Sequence, residues 1–125
     1  DIIGDRRSSL RQTVAKLLEC REIRYPRTFT EHTGLYDALF NIIQNDNAQT
    51  MKRETIMALA IGLGLNLCAT TKLMEKAQIH LNRDIRPDSV YLLILERFPG
   101  ISIYEANGIL EAHGLEPLGS KSRTC

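Results

Sequence analysis

Apolar residues recur along this chain every three to four positions, in stretches separated by Gly, Pro and Asn-rich breaks, the spacing of amphipathic helices. In the first stretch Leu10, Val14, Leu17 and Leu18 fall at i, i+4, i+7 and i+8, and Ser8 or Ser9 can cap it. A short second helix starts at Pro26, or one step later through a Thr28 and Glu31 capping box, turns Phe29 and Thr33 inward, and stops at Gly34. The third covers 36–44 with Leu35, Phe40 and Ile43 as core contacts, and the polar run 45–50 reads as a loop. The fourth, 52–63, repeats Ile56, Leu59, Ala60 and Leu63 on one face and leaves through Gly64. Asn66 caps a fifth helix carrying Leu67, Thr70, Leu73, Met74 and Ala77, before a polar loop at Asn82, Arg83 and Asp84.

Pro87 starts the sixth helix, 88–98, whose run 90–95 is apolar on every face and therefore belongs at the centre of a domain or under a partner. Pro99 and Gly100 stop it. Ser102 and Glu105 form a capping box for the last helix, 103–113, with Ile103, Ala106, Ile109 and Leu110 inward and Gly114 at its end. The pattern thus predicts one all-α domain of about seven short helices over 1–118, with a core at 8–65, a helical extension at 66–118, and a loose polar tail at 119–125.

Composition narrows the function classes more than the fold. With 125 residues, 43% hydrophobic and 25% charged, the chain can bury an apolar core without disulfides or a structural metal. The formal charge of +1 provides no bulk field for nucleic acid or anionic membrane, so such binding needs a local patch. By segment, residues 1–30 carry seven basic and four acidic groups, 31–50 none and three, and 51–125 nine and eight. The middle of the chain is acidic. Cys20, Cys68 and Cys125 are odd in number and widely spaced, which reads as reduced thiols in the cytoplasm. There is no leader pattern and no uncharged apolar run of membrane-spanning length, and the start at Asp1 without Met suggests a trimmed chain or a piece of a longer one.

Chemistry-bearing residues do not cluster along the chain. His32, His80 and His113 lie on different elements without i, i+4 partners, which predicts surface or capping roles and no metal. Glu31, His32 and Thr33 are consecutive and so do not share a helix face, and no enzyme activity or cofactor is expected from them. Gly62 and Gly64 lack a preceding strand and read as close helix packing instead of a phosphate loop. Asn107 is expected to turn inward and bond a backbone group. Arg83, Asp84, Arg86 and Asp88 read as a solvated charged loop.

Two helices joined at a short Gly-containing turn and flanked by longer amphipathic helices outline a helix-turn-helix. Taken together, 29–34, 35–43, Lys52-Arg53-Glu54-Thr55, 59–67, 73–77, 101–107, Leu110 and 114–119 resemble small bacterial proteins with a Cro and phage-repressor (XRE) type helix-turn-helix and a helical extension. The extension is the more distinctive part. The resemblance implies a helical bundle of DNA-binding ancestry, without catalysis, that binds double-stranded DNA through the helix 36–44. Candidate base readers are Tyr36, Asn41, Gln44 and Asn45, and candidate phosphate contacts are Arg24, Arg27, Lys52 and Arg53.

The departure from that family is one of charge: 28–51 contains no Lys or Arg, and carboxylates at Asp37 and Asp46 oppose a phosphate backbone. The alternative is a helix-turn-helix turned to protein contact, either a homodimer or docking to a partner domain. It would use Leu39 and Ile42 where they face outward, with the apolar sixth helix beside them; turned inward, the same two residues are core.

Overall fold

In a computed structural model that describes residues 9–44 and 51–119, the chain is all-helical, with seven helices and no strand among the described residues. They are α1 (Leu10–Cys20), α2 (Pro26–Thr33), α3 (Asp37–Gln44), α4 (Arg53–Gly62), α5 (Leu67–Lys76), α6 (Asp88–Arg97) and α7 (Ile103–Ala112). Ser8, the loop 45–50 with Asn45 and Asp46, and the tail from 120 with Cys125 lie outside the described residues.

Helix starts follow local hydrogen bonding. Ser9 caps α1 in a capping box with Gln12, in which Ser9 Oγ accepts from the Gln12 N–H at 3.1 Å and Gln12 Oε1 from the Ser9 N–H at 2.9 Å. Ser102 and Glu105 do the same for α7, and Asn66 caps α5 by accepting from the Ala69 N–H at 2.8 Å. α2 begins at Pro26 with no side-chain cap, so the Thr28 and Glu31 alternative is not used. The exits at Glu22, Gly64, Gln78 and Gly114 are alike: the next residue's N–H reaches back to Leu18, Ala60, Met74 and Leu110 respectively, satisfying carbonyls that the helix end would orphan.

α4 is the centre of the molecule. Ile56, Met57, Ala58, Leu59, Ala60 and Ile61 are all buried, because α2 packs on one side of it and α5 and α7 on others. A single inward face for this helix was too narrow an expectation: six consecutive apolar residues leave no polar side to expose. α6 behaves as its composition predicts, with Val90, Tyr91, Leu92, Ile94 and Leu95 buried between α5 and α7. One continuous core runs from Val14 and Leu18 on α1 through Phe29, Phe40 and Ile43 to Leu110 and Leu118.

The crossing of α2 and α4 depends on Gly62. A Cβ there would lie 2.4 Å from the His32 carbonyl oxygen and 2.9 Å from Thr33 Cα, so the two backbones approach closer than any side chain permits. Gly64, by contrast, has open space around it and serves only the helix exit.

The charged loop before α6 is not simply solvated. Asp88 is 4% exposed; its Oδ2 accepts from the Asn82 N–H at 2.9 Å, and its Oδ1 lies 3.5 Å from Arg53 Nε on α4. Arg83 makes two hydrogen bonds to Glu96, at 3.2 and 2.6 Å, and Arg86 donates to the His113 carbonyl at 3.0 Å. Adjacency in sequence hid these contacts, since each partner is contributed by another element.

Candidate nucleic-acid interface

The turn between α2 and α3, residues 34–36, is set by the last residue of α2. Thr33 is buried; its hydroxyl donates to the Phe29 carbonyl at 2.8 Å and accepts from the Leu35 N–H at 3.2 Å, which fixes the exit of α2. Gly34 follows at φ 75°, in the left-handed region, and its N–H donates to the Thr30 carbonyl at 2.8 Å. Leu35 is buried and Tyr36 is 45% exposed at the start of α3. Thr33 is thus engaged within the turn, whereas Glu31 and His32 are exposed beside it, and the three do not converge.

α3 is held from behind by Leu39, Phe40 and Ile43, all buried, with the Phe29 and Phe40 rings 5.7 Å apart and tilted by 54°. Its last turn is tied to α1 by the Arg11 guanidinium, which donates to the Ile43 carbonyl. A cation at a helix C-terminus both satisfies an orphan carbonyl and opposes the helix dipole. Arg11 falls on the basic side of α1 in sequence, and no local signal assigns it to α3.

The solvent face of α3 consists of Asp37, Ala38, Asn41 and Gln44, all exposed. Asp37 and Asn41 are one turn apart, as are Asn41 and Gln44, so the two amides share a face with one carboxylate. Asn45 lies outside the described residues. Leu39 does not join this face: at 8% exposed it is a core residue, and Ile42 is half-buried. The outward reading of Leu39 fails because its position on the helix is shared with Phe40 and Ile43, which pack on α1 and α2. Burial also removes most of α6 from any surface patch.

The four candidate phosphate contacts divide. Arg24 is exposed before α2, and Lys52 is exposed at the N-cap of α4; neither makes an ion pair among the described residues. Arg27 is 92% exposed, with its Nε 3.9 Å from Glu31 one turn on, a pairing that solvent and salt weaken. Arg53 Nε faces the buried Asp88 Oδ1 at 3.5 Å without a hydrogen bond, and turning it to a phosphate would leave that carboxylate unpaired. α2 and α4 both start without a side-chain cap, leaving backbone N–H groups beside Arg24 and Lys52.

Among the described residues, the histidines and cysteines lie apart from one another. His113 Nδ1 lies 2.9 Å from the Ile109 carbonyl at the end of α7, His32 and His80 are exposed, and no group of three metal-ligating side chains occurs among the described residues. Cys20 and Cys68 are exposed free thiols. None of the described helices is long and apolar enough to cross a membrane. No known family, curated protein or solved structure matches the chain.

Proposed function

We propose that this chain is a non-catalytic DNA-binding domain of the repressor type, with α2 and α3 as its helix-turn-helix and α3 as the helix that enters the major groove. The observation that carries the reading is the face of α3: Asn41 and Gln44 stand exposed one turn apart on a helix anchored by Phe40, Ile43 and Arg11. Side-chain amides in that arrangement match the N6 and N7 edge of adenine, and a fixed backbone is what base reading requires. Arg24 and Lys52, each beside an uncapped helix start, supply the phosphate contacts.

Two cations make the expected binding weak and only mildly salt-dependent, with a log–log slope of roughly −2 for two phosphates. The test is fluorescence anisotropy of the full chain with mixed-sequence duplex DNA at two salt concentrations. Lys52→Gln is expected to weaken binding to every sequence and flatten the slope, while Asn41→Ala with Gln44→Ala removes preference among sequences. Arg53 is a poor probe, because its loss strands Asp88. A second reading has its own observation: Asp37 makes the face of α3 acidic, which suits a basic protein surface better than phosphate. Absence of duplex binding at low salt, with self-association on dilution analysis, decides for that reading.

A further inference from the structure

A cavity of about 850 Å³ opens between the inner side of α3, the start of α4, α6 and the segment that follows α7. Leu39 and Ile42 of α3, Leu115 and Pro117 of the segment after α7, and Tyr91 of α6 line it. The volume is in the range of small-molecule sites, which are apolar with a few placed polar groups. Tyr91 is 2% exposed, and its hydroxyl makes no hydrogen bond among the described residues. The side chain is enclosed but the hydroxyl itself opens onto the cavity, where it is free to donate to an acceptor.

The charges around the cavity select the head group. Arg11 and Lys52 are balanced by Glu54 and Glu116, so the lining favours neither an anion nor a cation overall. Burial first, then the Glu54 and Asp88 carboxylates, push the Tyr91 phenol up to about 12, with Arg53 opposing them. The group is therefore a neutral donor, and with Asp88 paired to Arg53 it is the Glu54 carboxylate that disfavours an anionic head. A cationic head cannot accept the proton that the hydroxyl offers. We propose that this cavity binds an uncharged, mostly apolar small molecule through a carbonyl-type oxygen that accepts from the Tyr91 hydroxyl.

The site stands on the protein alone and does not require that the chain bind DNA. The probe is 2-decanone, titrated into the full chain by calorimetry and followed by shifts of the Leu, Ile and Met methyl resonances. Saturable binding is expected, with Tyr91→Phe weakening it about tenfold, the loss of one hydrogen bond. Decanoate and decylamine are expected to bind at least as much weaker. Ile42→Trp, at a half-buried wall position, is expected to fill the space and abolish binding. Removal of a hydroxyl that bonds to nothing leaves the fold intact, so Tyr91→Phe remains informative if the tryptophan variant does not fold. Absence of saturable binding, equal affinity in Tyr91→Phe, or equal affinity for the charged probes overturns the assignment.

Discussion

Tyr91 carries a large titration shift with a clear physical origin. Burial raises its phenol first, and the nearby Glu54 and Asp88 carboxylates add to that, bringing it to about 12 against an ordinary value of 10.0. The folded state thus holds a proton that the unfolded chain releases earlier. Stability from this source is fully present below pH 10 and is lost as the pH rises through 12; solvent in the cavity screens the phenol and holds the effect to about 1–2 kcal/mol. Urea unfolding at successive pH values is expected to show wild type falling more steeply over that window than Tyr91→Phe, in which nothing titrates at this site. Parallel curves for the two proteins would mean that the phenol is not held in its neutral form.

At the level of elements, the two glycines inside helices make opposite predictions. Gly62 on α4 has the α2 backbone where its Cβ would go, 2.4 Å from an oxygen that cannot move without its helix. Gly108 on α7 has nothing within 4 Å. Gly108→Ala is expected to stabilise by about 0.5–1 kcal/mol, the helix propensity difference. Gly62→Ala gains the same propensity but is expected to lose about 2 kcal/mol net through overpacking, read as a lower melting temperature. Stabilisation by both would show that α2 and α4 do not meet at Gly62.

Sequence periodicity identifies the seven helices here, and most carry their own cap or stop, such as the Ser102 and Glu105 box or the Gly34 exit. Asn107 was also readable: its side chain donates to the Leu118 carbonyl at 3.1 Å and accepts from the Leu118 N–H at 2.7 Å, clamping the returning segment to α7. The pairings of Arg53 with Asp88 and of Arg11 with Ile43 were not, being contacts between residues 35 and 32 positions apart. For the same reason the candidate face of α3 was half legible. Asn41 and Gln44 are exposed as expected, while the register of Leu39 and the commitment of Arg53 depend on packing that no local pattern records.

The extension returns to the bundle at two places, and this bears on how the whole molecule unfolds. α7 packs on α4, and the segment held by Asn107 brings Gly119 against Gly34, where a Cβ on Gly119 would lie 2.4 Å from the Gly34 oxygen. The α2–α3 turn and the C-terminal end of the extension therefore share an interface, in addition to the Arg53–Asp88 ion pair between α4 and α6. With α4 buried by α2, α5 and α7 at once, neither half has a core of its own to fall back on. A core truncation at either end is then expected to destabilise the same cooperative unit. Phe29→Ala on α2 and Leu110→Ala on α7, both at fully buried positions, are each expected to cost about 2–5 kcal/mol. Each should lower a single transition seen alike by circular dichroism and by exchange of α4 and α6 amide protons. If Leu110→Ala instead released α5 to α7 at a lower temperature while α1 to α4 melted as in the wild type, the extension would be a separate unit, and its contact at Gly34 would have no bearing on the geometry of α3.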